Sequence, residues 1–90
     1  MSVSRRKLLS FLSASGLYDV AESEGLVTIR FSSIDLEEAL GGVTEIVITG
    51  RVRGERVEIE RVVIVRNGLL EEVPSEVLSG WLSYIERYEA

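Results

Sequence analysis

The feature that most constrains the fold is the segment 45–73, in which apolar and polar residues alternate on either side of two turn dipeptides. Gly54-Glu55 is typical of a type II′ turn, and Asn67-Gly68 of a type I′ turn. Both turns connect antiparallel strands, so we predict a three-stranded meander. Before the first turn, alternate residues are predicted to share one face: Ile46, Ile48, Gly50 and Val52.

The first turn also predicts a register for its two strands. A loop formed by Gly54 and Glu55 places apolar residues opposite apolar residues and arginine opposite glutamate, which are favourable cross-strand pairs. The predicted pairs are Val52 with Val57, Arg51 with Glu58 and Thr49 with Glu60. The alternation then slips, and residues 62–65 are apolar on both faces. We therefore expect either a bulge near Glu60-Arg61 or a strand that is covered on both sides.

Helices are predicted at both ends of the chain, and one strand before the meander. The first helix has Ser4 as its N-cap and ends at Gly16. Residues 26–31 alternate as a strand, and a short helix over 36–40 ends at Gly41-Gly42. Pro74 is predicted to open the last helix. We expect one α+β domain over residues 1–90, with an antiparallel sheet of about four strands and the terminal helices on one face. The strand order stays open.

The composition argues against catalysis. The chain has no His and no Cys, and Lys7 is its single lysine, so the usual general base, thiolate nucleophile and zinc ligands are missing. Carboxylates remain, but Glu71 and Glu72 are neighbours on a predicted strand and point to opposite faces. We predict a protein that is not an enzyme, with no catalytic residues, no metal and no cofactor.

The last predicted helix carries a broad apolar face that suggests a partner interface. Leu78, Leu82 and Ile85 form an aliphatic edge suited to packing on the sheet. The other edge follows the spacing i, i+4, i+7 and i+11, and comprises Val77, Trp81, Tyr84 and Tyr88. Trp and Tyr are enriched at interfaces. We predict that this edge mediates a homodimer or joins the protein to a larger complex.

An alternative function uses the arginines at the tip of the first hairpin. Arg51, Arg53 and Arg56 are suited to binding an anion or nucleic acid. Against this stand the glutamates of the same hairpin, its lack of aromatic residues for base stacking, and a net charge of −5. The second interpretation of these arginines is a surface of Arg–Glu ion pairs.

Composition also suggests where the protein works. No apolar run approaches the roughly 18–20 residues that span a bilayer, so we expect no membrane partner and a cytoplasmic location. Abundant Glu with no Gln and a single Asn suggests a thermophilic source, although a GC-rich genome would explain the bias toward Arg and Val equally well.

Overall fold

Alternating residues and two-residue turns build one antiparallel sheet in the computed structural model, which describes residues 1–32 and 41–88. Its strands are β1 Ser2–Ser4, β2 Tyr18–Ser23, β3 Leu26–Ser32, β4 Val43–Arg53, β5 Arg56–Arg66 and β6 Leu69–Val73. The order across the sheet is β1-β5-β4-β3-β2, and β6 also pairs with β5. β1 and β6 therefore occupy successive parts of the same edge of β5.

The meander and its two turns are confirmed. Asn67 and Gly68 both have positive φ, 50° and 80°, as a type I′ turn requires. Gly54 has φ 61° and leads the first turn, which sets Val52 opposite Val57 and Arg51 opposite Glu58.

One predicted pair in the first hairpin is wrong. Thr49 lies opposite Arg61 rather than Glu60, because the register shifts by one residue between Thr49 and Gly50. An extra residue in β5, Glu60, accounts for this shift. The bulge predicted near Glu60-Arg61 is therefore confirmed, and it explains why the simple hairpin register fails beyond it.

Two helices lie on one face of the sheet. Helix α1 spans Arg5–Ser15; the Ser4 hydroxyl accepts a hydrogen bond from the Lys7 backbone N–H at 3.4 Å, and Gly16 ends the helix with φ 67°. Helix α2 spans Ser79–Glu86 and follows a separate 3-10 turn, Ser75–Leu78. The predicted last helix is thus divided, because the Val77 N–H bonds to the Pro74 carbonyl three residues back and tightens the first turn.

The core lies between these helices and the sheet. Leu8 and Leu12 of α1 and Leu82 and Ile85 of α2 are all buried. They pack against the inward residues of the central strands, namely Val27, Ile29, Ile48, Val57, Ile59 and Val62. The predicted α+β class and the placement of both helices on one face are confirmed. In the described ranges the sheet has six strands instead of about four, because β1 and β2 were not predicted.

Two further expectations from the sequence concern a short helix before the meander and the absence of a membrane-spanning segment. The short helix expected over 36–40 lies outside the described residues. None of the helices in the described ranges is long and apolar enough to cross a membrane.

Candidate interaction site

Phe11 of α1 is the centre of an aromatic cluster that joins the two helices. Its ring centroid lies 6.1 Å from that of Trp81, 5.8 Å from that of Tyr84 and 5.6 Å from that of Tyr88. All three contacts are edge-to-face, with interplanar angles of 76–84°. This is a favoured geometry for aromatic pairs and holds each ring in a defined orientation.

The cluster continues onto the sheet. Tyr18 at the start of β2 lies within 6.1 Å of Phe11, 5.9 Å of Trp81 and 5.1 Å of Phe31, centroid to centroid. With two Phe, three Tyr and one Trp in the sequence, every aromatic residue of the chain belongs to this one network. The network therefore fixes α1, α2 and the adjacent ends of β2 and β3 to one another.

The four residues predicted as an interface differ in exposure. Val77 in the 3-10 turn is 62% exposed and Tyr84 in α2 is 57% exposed, whereas Trp81 and Tyr88 are half-buried. The rings of Trp81, Tyr84 and Tyr88 all contact Phe11. Val77 is aliphatic and is therefore not part of the aromatic network. Since Val77 precedes α2 and Tyr88 follows it, the four do not form one regular helical stripe. We call them together the aromatic surface.

The sequence interpretation missed Phe11 as the partner of three of these residues. Phe11 belongs to the apolar face of α1, so its burial was predictable. Its neighbours were not, because the contact depends on how α1 and α2 pack across the sheet.

The three arginines predicted to contact an anion are each bonded to a carboxylate. Arg51 pairs with Glu60 at 3.3 Å and Arg53 with Glu58 at 3.0 Å, both across the first hairpin. These four side chains are each 40–61% exposed. Solvated pairs of this kind contribute about 0–1 kcal/mol to folding, and they neutralise the charge that a phosphate would need.

Arg56 turns away from that pair of bridges and joins a junction between both ends of the chain. Its guanidinium donates to the Glu86 carboxylate at 2.8 Å and to the Ser2 hydroxyl at 2.9 Å. The Ser4 backbone N–H donates to the same Glu86 oxygen at 2.7 Å, and the Lys7 ammonium donates to the Glu86 carbonyl.

These contacts lower the pKa of the Glu86 carboxyl below its ordinary value. The Ser4 N–H is the main cause, and the neighbouring Arg56 guanidinium adds to it, while partial burial opposes both. Glu86 lies outside the apolar face of the last helix, so the sequence pattern gives no sign of this role. Only the pairing of β1 with β5, which brings Ser4 to the end of α2, reveals its role.

No arrangement for carboxylate chemistry occurs in the described residues. Two concavities of about 650 and 630 Å³ in the described part of the chain each contain a single carboxylate, Glu86 in one and Glu55 in the other. Within residues 1–32 and 41–88, no three potential ligands are grouped as a metal site. Glu71 and Glu72 bind different arginines, Arg66 and Arg61, from opposite faces of β6. The absence of catalysis remains a prediction.

Comparison of the chain with protein-family models, with curated protein sequences and with solved structures gave no match in any of the three.

Proposed function

We propose that this protein is a non-catalytic interaction subunit and that the aromatic surface is where it contacts a partner protein. The observation that carries this proposal is Tyr84. Its ring is held edge-to-face on Phe11, yet 57% of the residue remains exposed, and Val77 in the preceding 3-10 turn is 62% exposed. The partner is a second copy of the chain or another subunit of a larger complex.

A tyrosine held in this way is well suited to be a contact residue. Binding costs conformational entropy when it immobilises mobile side chains, and Tyr84 is already restrained by Phe11. Its ring offers apolar area and its hydroxyl offers a hydrogen bond. Aromatic residues of this type supply much of the binding energy at interfaces.

The truncation Tyr84→Ala tests the proposal. Removal of the ring should weaken partner binding or self-association by roughly 1–2 kcal/mol. Tyr84→Phe is the matched control, because it keeps the ring on Phe11 and removes only the hydroxyl. Light scattering at micromolar concentration and co-purification from native extract measure the two forms of association, and thermal unfolding shows that each variant folds.

The outcomes are distinct. A folded Tyr84→Ala protein with weakened association, beside a Tyr84→Phe protein near the wild type, supports the proposal. The proposal is contradicted if Tyr84→Ala and the wild type have the same mass in solution and co-purify with the same partners.

We also propose that the protein is cytoplasmic and comes from a thermophile. Separate Arg–Glu pairs extend across the sheet, and proteins that function at high temperature are rich in charged residues that form ion pairs. Besides those of the first hairpin, the pairs are Arg30–Glu45, Arg61–Glu72 and Arg66–Glu71. A thermal midpoint within the ordinary mesophilic range of about 45–65 °C would count against the thermophilic source.

A further inference from the structure

Among residues 1–32 and 41–88, strand β2 is the last strand on its side of the sheet and lacks the usual protection of an edge. In the described part of the chain it pairs with β3 alone, over all six of its residues and without a register shift. Natural edge strands avoid pairing with other chains through lysine, proline, bulges or inward-pointing charges. Residues 18–23 contain no lysine and no proline. The one inward charge, Glu22, is neutralised by Arg5 of α1 at 2.8 Å.

The turn between β2 and β3 fixes which backbone groups of β2 point outward. Glu24 and Gly25 have φ of 52° and 80°, so they form a two-residue type I′ turn. In such a hairpin the closing pair, here Ser23 and Leu26, is hydrogen-bonded, and bonded pairs alternate with unbonded ones. The unbonded positions of β2 are Tyr18, Val20 and Glu22, and their N–H and C=O groups therefore face away from β3.

These three positions are complementary to a second copy of themselves. When two β2 strands pair antiparallel about Val20, Val20 lies opposite the partner's Val20, and Tyr18 lies opposite the partner's Glu22. Each of these pairs is of the bonded type, which allows about six backbone hydrogen bonds. Asp19 then lies opposite the partner's Ala21, so no like charges face each other.

The neighbouring registers are poorer. Centring the pair on Asp19 or on Glu22 places two carboxylates opposite each other. Centring it on Ala21 leaves about four bonds and sets Val20 opposite the partner's Glu22. At the other end of the sheet, β6 would pair about Glu71, again with like charges opposed.

Apolar side chains of β2 and α1 are also left partly exposed to solvent. Val20 is 40% exposed, and a groove of about 380 Å³ runs between β2 and α1, lined by Leu9, Leu12, Ser13, Tyr18 and Val20. A two-fold axis through Val20, perpendicular to the sheet, brings the same groove of the second copy alongside, so one contact covers both.

We propose that β2 is a self-pairing strand, through which two copies join their sheets into one continuous antiparallel sheet centred on Val20. The pairing strand contains Tyr18, whose ring lies 5.9 Å from that of Trp81, so the β2 edge adjoins the aromatic surface. Tyr84 is not part of β2, and substitutions at Tyr84 and at Val20 therefore distinguish the two surfaces.

Val20→Pro tests this proposal on the full chain. The proline removes an N–H that faces solvent in the single chain, so the β2–β3 hydrogen bonds are kept, and proline is tolerated on an edge strand in that position. By symmetry, two hydrogen bonds are lost in each dimer. We expect the dissociation constant to rise on the order of 100-fold. Val20→Thr is the matched control: it keeps both the N–H and the branched Cβ, and it should remain dimeric.

Light scattering across a concentration series gives the mass, and thermal unfolding shows that each variant folds. If Val20→Pro does not fold, Val20→Lys replaces it, since a lysine opposite the partner's lysine opposes pairing without changing the backbone. A wild type of about 20 kDa that becomes 10 kDa in these variants supports the proposal. A wild type that stays at 10 kDa, or a dimer that survives Val20→Pro and Val20→Lys, overturns it. A dimer lost only in Tyr84→Ala overturns it as well, and assigns self-association to the aromatic surface.

Discussion

Gly50 is the glycine whose environment makes the sharpest prediction for this fold. It is buried in β4 opposite Ile59, beside the register shift of the first hairpin. A Cβ added there would lie 2.6 Å from the Val57 Cγ1, 3.1 Å from the Glu58 carbonyl oxygen and 3.6 Å from the Ile59 Cδ1. We therefore expect Gly50→Ala to destabilise the protein, although alanine is otherwise the better residue in a strand.

The magnitude follows from these contacts. Carbon atoms in favourable contact are about 3.5–4.0 Å apart, so the Val57 methyl group would have to move by about 1 Å. Val57 is fully buried and its branched side chain has few alternative rotamers, and the Glu58 oxygen belongs to the backbone. Overpacking of a core costs about 1–3 kcal/mol, less about 0.5 kcal/mol for the more favourable backbone of alanine. We expect a net loss of about 1.5 kcal/mol.

Thermal and urea unfolding measure this loss. For a domain of this size, 1 kcal/mol lowers the midpoint by about 4–8 °C, so Gly50→Ala should lower it by about 10 °C. Gly80→Ala is the matched control, because a Cβ at this helical position meets nothing within 4 Å. That substitution should raise stability by about 0.5 kcal/mol. A Gly50→Ala midpoint that is unchanged, or that rises with that of Gly80→Ala, would refute the packing around β4.

Three other measurements test separate parts of the structure. The pKa of Glu86 is lowered in the folded state, so its contribution to stability is present above the unfolded value of about 4.5 and is lost as the pH falls through the folded pKa. Glu86→Gln should therefore be less stable than the wild type at pH 7, and the difference in stability should narrow as the pH falls below about 4.5 in acid titrations followed by circular dichroism. Gly68→Val should cost about 1–3 kcal/mol, because φ at this position is +80°; an unfolding midpoint equal to that of the wild type would contradict the strain. The wild type should not be retained on duplex DNA at about 50 mM salt. Retention would favour the nucleic-acid alternative over the interaction subunit if the double variant Arg53→Ala, Arg56→Ala also lowers the slope of log affinity against log salt concentration by roughly 0.9 per lost contact.

The meander was predictable because its signals are local. Alternation sets the faces of β4 and β5, and the turn residues set where each strand ends. Even the bulge left a trace, since the alternation slips at Glu60. The residue at which the register changes was harder to predict from the sequence, because a bulge is stabilised by the packing of both strands together.

The strands that were missed lack such signals. β1 has three residues, too few for a period, and forms by pairing with Arg56–Glu58 far along the chain. In β2, Tyr18 fits equally well on the helical face of α1, and only one position of six between 18 and 23 is buried to any extent. An edge strand with weak alternation is therefore easily read as a loop.

The candidate surfaces also combine features that the local sequence predicts with features that depend on long-range packing. The residue types at Trp81, Tyr84 and Tyr88 marked them as contact candidates, and the pattern also marked Leu82 and Ile85 for the core. Their arrangement around Phe11 required the packing of two helices that are distant in sequence. Likewise, the sequence placed arginines and glutamates in one hairpin, but the partner of Arg56 is Glu86, which lies outside it.

The junction at Glu86 has a consequence for the order in which the chain folds. The hairpins of β4, β5 and β6 close through two-residue turns and need little loop closure, whereas the bond from the Ser4 N–H to Glu86 joins residues 82 positions apart. Contacts of such long sequence separation are expected to form after the transition state, when the sheet is already in place. Changes at this junction should therefore leave the folding rate nearly unchanged and raise the unfolding rate, so that the junction controls how long the native state survives more than how fast it forms.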